Sequence, residues 1–147
     1  MREGEEMIFR HCGLVVNNME KATLFYTQML GFEIENDNLE TGVFVSTICG
    51  LNNTEVRTVK MSLQGKVVLE LLHFLSHPGE EYRKEITKLG YTHIALTVKD
   101  LDQVYDKLSI NGLEFHCPPK ISPNGKAKVT FCRDPEGNLL ELVEELK

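Results

Sequence analysis

The spacing of apolar positions changes period along the chain, and the same change occurs a second time further on. From Cys12 to Val16 apolar residues fall at every second place (Cys12, Leu14, Val16), and they do so again at Ile94, Leu96 and Val98. A period of two predicts a half-buried strand, whose side chains alternate between faces. The spacing then becomes helical, with Ala22, Phe25, Tyr26, Met29 and Leu30 in the first stretch and Val104, Tyr105 and Leu108 in the second. Asn18 stands where the first helix needs its N-cap. Asp100 caps the second, with Gln103 three places on as in a capping box. Gly31 and Gly112 are expected to end these helices, because a left-handed backbone costs glycine little.

Aligned, HCGLVVNNMEKATLFYTQMLGFE (His11 to Glu33) answers HIALTVKDLDQVYDKLSINGLEF (His93 to Phe115) with a one-residue gap. The following stretches match as well. VRTVKMSL (Val56 to Leu63) turns at Gln64-Gly65 into VVLELLHF, and KVTFC (Lys128 to Cys132) turns through Asp134-Pro135-Glu136-Gly137 into NLLELV. A strand after each helix, Glu33 to Leu39 and Leu113 to Cys117, completes β-α-β-β-β twice. The expected fold class is α+β, with one module over residues 8–75, a linker over 76–90 and a second module over 91–147. A helix is expected from Glu80 to Thr87 in the linker. Glu40 to Asn53 has no counterpart in the second copy and reads as an insertion forming a helical lid.

The duplication sets His11 opposite His93 and Glu70 opposite Glu141, so each module offers one imidazole and one carboxylate from equivalent strands. Alternation places Val68, Glu70 and Leu72 on one strand face, and Leu139, Glu141 and Val143 on its counterpart. A lone glutamate in an antiparallel sheet is ordinarily solvated, but its flanking positions are then polar too, and here they are apolar. An unpaired carboxylate in such a wall costs several kcal/mol, against a total stability of roughly 5–15 kcal/mol. A divalent cation cancels both charges and takes the imidazole lone pairs. His11, Glu70, His93 and Glu141 are therefore the expected ligands of one divalent metal ion, with one or two coordination places left for water or substrate. Zinc, nickel, cobalt, manganese and iron are all compatible with that set. His73 lies an odd number of residues from Glu70 and faces the other side of its strand; His77 and His116 sit beside loops. All three read as structural or surface residues.

The bulk numbers remove several classes. A chain of 147 residues with 41% hydrophobic and 26% charged residues has enough apolar surface to fold without disulfides. A net charge of −6 with no block of Lys or Arg argues against nucleic acid as a partner. Cys12, Cys49, Cys117 and Cys132 show no Cys-x-x-Cys spacing and are expected as reduced thiols. No apolar run approaches the roughly 18 residues of a membrane span, and the acidic Met1 to Glu6 stretch is expected as a frayed tail rather than a secretion signal. A cytoplasmic protein without membrane partners is the expectation. Arg57, Lys120, Lys126 and Lys128 are candidates to anchor an anionic substrate group, with solvated surface charge as the ordinary reading of each.

Taken with these positions, the sequence resembles the vicinal oxygen chelate superfamily, which includes glyoxalase I, methylmalonyl-CoA epimerase, extradiol dioxygenases and the fosfomycin and bleomycin resistance proteins. The resemblance runs from about Phe9 to Glu144. It is carried by His11, Phe25-Tyr26, Leu30-Gly31-Phe32, Leu69-Glu70-Leu71, His93-Ile94-Ala95, Asp134-Pro135-Glu136-Gly137-Asn138 and Leu140-Glu141-Leu142. It implies paired βαβββ modules whose mixed sheet curls around a cleft with a divalent metal at the bottom, and a homodimer. Its ligand positions fall on His11, Glu70, His93 and Glu141, the set most similar to glyoxalase I. The implied activity is a metal-dependent lyase or isomerase acting on a small organic substrate, with Glu70 or Glu141 carrying a proton at a carbon next to a carbonyl. A glutathione-dependent member would carry an arginine shortly after the first ligand and an asparagine shortly after the second. Gly13 to Val15 and Leu71 to Phe74 stand there instead, which argues against glutathione. The epimerase, an Fe(II) extradiol dioxygenase and a non-enzymatic antibiotic-binding protein are the alternatives that the same resemblance allows.

Overall fold

Each helix start is set by a side chain that satisfies a backbone donor the helix itself leaves open. In the computed structural model, which describes residue 4 and residues 6–147, Asn18 Oδ1 accepts from the Lys21 amide at 3.0 Å and opens α1 (Met19–Leu24). Asp100 Oδ1 accepts from the Gln103 amide at 3.0 Å and opens α3 (Leu101–Ile110). The Leu101 amide donates to Glu144 Oε2 at 2.8 Å, tying the start of α3 to a strand of its own sheet. α1 runs on into a π-helical turn, Phe25–Met29. Thr23 and Thr27 hydroxyls bond back to the carbonyls of Met19 and Thr23 at 2.8 and 2.7 Å, contacts that bend helices. Gly31 and Gly112, with φ of 77° and 85°, follow the two helical stretches. Most of the expected acidic tail, Met1 to Glu6, lies outside the described residues.

The strands are β1 (Cys12–Val15), β2 (Glu33–Thr41), β3 (Glu55–Leu63), β4 (Lys66–Phe74), β5 (His93–Thr97), β6 (Lys120–Ile121), β7 (Ala127–Arg133) and β8 (Leu139–Glu145), with a short α2 (Val43–Cys49) after β2. They form two four-stranded mixed sheets of one topology, β1-β4-β3-β2 and β5-β8-β7-β6, neither closed into a barrel. In both, the first strand runs parallel to the last and the other neighbours are antiparallel. The fold is α+β, as expected. The chain divides into two compact units, the first ending at Glu80 and the second running from Glu81 to Lys147.

Each unit has its own core. Met19, Tyr26, Met61, Leu69 and Leu71 are fully buried in the first, and Leu101, Leu108, Cys132, Leu140 and Leu142 in the second. Burying each leucine contributes about 1.5–3 kcal/mol. That term fixes strand register, since a one-residue slip would drive Glu70 or Glu141 into the core and turn the leucines out. Gln64 and Gly65, with φ of 50° and 76°, make the tight turn expected between β3 and β4. No helix among the described residues is long and apolar enough to cross a membrane.

Three expectations need correction. Glu80 to Thr87 forms no helix. Its two large apolar residues, Tyr82 and Ile86, are 63% and 43% exposed, so no apolar stripe docks it. The segment is instead irregular and held by side chains, with the Lys84 carbonyl accepting from Arg133 Nη1 at 2.6 Å and Lys84 Nζ bonded to Asn138 Oδ1. Leu113 to Cys117 is not a full strand: Phe115 makes an isolated bridge to Cys132, and the edge strand forms later at Lys120–Ile121. Pro118 and Pro119, which have no amide to donate, interrupt it. The insertion after β2 is shorter than expected, because β2 continues to Thr41, and its helical part is α2.

Candidate metal centre

In each unit a histidine, His11 just before β1 and His93 at the start of β5, meets a glutamate in the middle of the last strand. Gly13 pairs with Glu70 in the parallel β1–β4 register, and His11 lies two residues before Gly13, on the same face. His11 Nε2 stands 3.8 Å from Glu70 Oε2, with side chains 24% and 15% exposed. In the second unit Ala95 pairs with Glu141, two residues after His93. His93 Nε2 lies 3.0 Å from Glu141 Oε2. The residue between each imidazole and its carboxylate is small in both units. A Cβ on Gly13 would come within 3.2 Å of Leu72 Cδ1, so even alanine would crowd that face.

The His93–Glu141 separation suits two ligands of one metal ion, and the His11–Glu70 separation is wider than such a pair requires. Donor atoms bonded at about 2.1 Å lie about 3.0 Å apart at a right angle and about 3.4 Å apart at the tetrahedral angle. The pair in the second unit matches the first value, and the first unit's pair is slightly wider. Imidazole and carboxylate are the donors that zinc, nickel, cobalt, manganese and iron accept. Within neither unit, among the described residues, do three or more His, Cys, Asp or Glu side chains gather. Each unit therefore brings together two of the four expected ligands.

The surroundings of the two pairs differ. Phe131 is the cross-strand partner of Glu141, and its ring meets His93 edge-on at 5.0 Å between centroids. His116 stacks on the same ring at 5.9 Å and 18°. His116 is exposed, as expected, yet it borders the His93 face, a position its loop neighbourhood did not reveal. In the first unit, Lys60 is the cross-strand partner of Glu70. His73 lies across from Arg57, and His77 Nδ1 is 2.8 Å from Ser76 Oγ.

Two of the four expected anion anchors are occupied by the protein itself. Arg57 donates to both carboxylate oxygens of Asp37, at 2.9 and 2.8 Å, and to Glu20 at 2.7 Å. The Asp37 bond, then the Glu20 bond, raises the Arg57 pKa, and the same guanidinium holds Asp37 below the usual carboxylate range. Lys128 is raised by its bond to Asp102, at 2.6 Å, and lies 3.7 Å from Glu144. Lys120 and Lys126 are exposed. The four cysteines are free thiols.

Comparison with known proteins agrees with this architecture. The family model described as Glyoxalase/Bleomycin resistance protein/Dioxygenase superfamily matches residues 8–142. The uncharacterized protein YwkD of Bacillus subtilis (strain 168) is 30% identical over 137 residues, covering 92% of this chain and 94% of that protein. A probable lactoylglutathione lyase of Synechocystis is 24% identical over 139 residues, covering 94% and 95%. Among solved structures, a glyoxalase family protein from Bacillus cereus superposes with a TM-score of 0.88 at 22% identity, covering 100% of this chain and 99% of that one.

Proposed function

Because the chain belongs to the glyoxalase/bleomycin resistance protein/dioxygenase superfamily, we propose that it is a divalent-metal-dependent lyase or isomerase that moves a proton at a carbon next to a carbonyl, on a small substrate and without glutathione. In this reading His11, Glu70, His93 and Glu141 hold the ion. The observation that carries it is the repetition: both units place an imidazole nitrogen and a carboxylate oxygen 3.0–3.8 Å apart at equivalent strand positions.

A divalent cation held there would stabilise negative charge on the carbonyl oxygen, and each 1.36 kcal/mol of such stabilisation is tenfold in rate. The chain's own residues do the rest. Glu70 or Glu141, whichever is released from the ion, would remove the proton from the carbon next to the carbonyl as a base and return it as an acid to the neighbouring carbon. The imidazoles would supply nitrogen donors to the ion, and Phe131 fixes the plane of His93 by its edge contact. The protein works as a homodimer, a reading supported by the exposure of Val43, Phe44 and Ile48 on α2, at 83%, 76% and 65%.

The test is solvent exchange. Small α-hydroxy and α-oxo carbonyl compounds are incubated with the metal-loaded protein in D2O and followed by proton NMR. Deuterium should enter an accepted compound at the carbon next to the carbonyl, and Glu70→Gln or Glu141→Gln should stop it while the circular dichroism spectrum is unchanged. Full exchange in both variants would remove the carboxylates from the chemistry.

A further inference from the structure

Beside the His11–Glu70 pair lies a cleft of about 360 Å³ lined by Ile8, Phe9, Arg10, His11, Lys60 and Val67, all in the first unit. Its size is at the lower end of small-molecule sites, which run from about 300 to 1,000 Å³. Ile8, Phe9 and Val67 supply apolar walls. Arg10 and Lys60 supply two positive charges in a chain whose net charge is −6. Lys60 is half-buried and stands directly across from Glu70 in the β3–β4 register.

The two cations differ from the other basic residues near the strands. Arg57 is held by Asp37 and Glu20, and Lys128 by Asp102 and Glu144. Among the described residues neither Arg10 nor Lys60 forms an ion pair within 4.0 Å, although Glu70 is the cross-strand neighbour of Lys60. Its carboxylate instead turns toward His11. With Glu70 committed to a divalent cation, its negative charge is cancelled, and among the described residues no carboxylate pairs with Lys60 or Arg10. Arg10 is exposed and Lys60 half-buried, and such an open positive cleft attracts an oxyanion, two of whose oxygens an arginine fork can grip at once.

We propose that Arg10 and Lys60 form an oxyanion pocket that binds a carboxylate or phosphate group carried by the substrate, at the end away from the reacting carbonyl. The assignment rests on the functional reading above only for where the carbonyl lies. It narrows the substrate class to small anionic carbonyl compounds. It also replaces Arg57 and Lys128 as anchors, since those side chains already have partners.

The test is calorimetric titration of the full chain, metal-free and zinc-loaded, with succinate and with inorganic phosphate, in the wild type, Lys60→Gln and Arg10→Gln, with zinc content measured on each. The wild type should bind at least one of the two anions in the zinc-loaded form, and more weakly in the metal-free form, where the Glu70 charge next to Lys60 is not cancelled. Lys60→Gln should weaken it at least tenfold and Arg10→Gln several-fold, with zinc content unchanged. Binding of succinate alone identifies a carboxylate, and of phosphate alone a phosphate ester. Absence of binding by the wild type, or equal affinity in both variants, overturns the pocket. A protein that takes up no zinc but binds the anion through Lys60 would overturn the metal reading and leave the pocket standing.

Discussion

Replacing Asp134 by alanine should destabilise the second unit and, through it, the Glu141 half of the site. Asp134 is 5% exposed. Its Oδ1 accepts from the amides of Glu136 and Asn138 at 2.9 and 2.8 Å, and its Oδ2 accepts from Asn138 Nδ2 at 2.8 Å. Asn138 Oδ1 is taken by Lys84 Nζ, so the amide group cannot rotate to compensate. Removing the carboxylate leaves these donors without their acceptor, and each buried one costs about 1–3 kcal/mol. The Asn138 amide bears the full cost because its bond is buried, while the Glu136 amide is only partly buried and can recover water. With Asn138 Nδ2 buried as well, the expected loss is about 2–6 kcal/mol, or a fall in Tm of about 4–24 °C for a chain of this size. The turn delivers Leu139 opposite Arg133 and Glu141 opposite Phe131, so zinc affinity should fall with stability. Urea unfolding of wild type and Asp134→Ala, followed by circular dichroism, measures the effect. A loss below about 0.5 kcal/mol, the size of an ordinary surface substitution, would refute the view that this turn is held by the carboxylate.

Two further outcomes follow from the ionisable groups. Burial, with help from the Asp134 charge, pushes the Cys132 thiol from 9.0 up to about 12; the unfolded chain therefore loses its proton first, so this stabilisation is complete below pH 9 and declines as pH rises toward 12, by at most about 1.4 kcal/mol per pH unit. Urea midpoints between pH 8 and 10.5 should fall less steeply in Cys132→Ala than in wild type, and parallel slopes would count against it. At the other end, the hydrogen bond from Arg57 lowers the pKa of Asp37 from 3.8, so the stability of this pair is present above pH 3.8 and is lost as pH falls through the depressed value. The side chains are 33% and 41% exposed, so a double-mutant cycle of Arg57→Ala and Asp37→Ala should give a coupling of only about 0.2–1 kcal/mol at pH 7, shrinking as pH falls through the depressed value; a coupling independent of pH would contradict it.

The features legible in the sequence are those governed by local chemistry. Asn18 and Asp100 cap helices where their side chains can reach an amide three residues on, and Gln64-Gly65 and Asp134 to Gly137 turn where their backbone preferences allow. The repeat of these signals disclosed the duplicated topology, and alternation placed Glu70 and Glu141 on the faces opposite the buried leucines. What stayed hidden depends on tertiary contacts. The two-residue turn alone would set Lys60 across from Leu69, since Leu63 pairs with Lys66. A register shift between Met61 and Ser62 brings Lys60 opposite Glu70 instead, and no residue type announces that bulge. The helix expected over Glu80 to Thr87 had the right composition, but Arg133 and Asn138 capture its backbone and its lysine. Arg57 read as a free surface cation because Glu20 and Asp37 are distant from it in sequence.

The proposed function depends on one divalent ion held by His11, Glu70, His93 and Glu141, and metal content tests that proposal. Elemental analysis of the purified full chain, equilibrated with zinc and then dialysed, should find close to one ion per chain in the wild type. His11→Ala and His93→Ala should each lower the affinity at least tenfold, because each removes a donor from the same ion. Wild-type protein that retains no metal, or variants that retain it undiminished, would contradict the account.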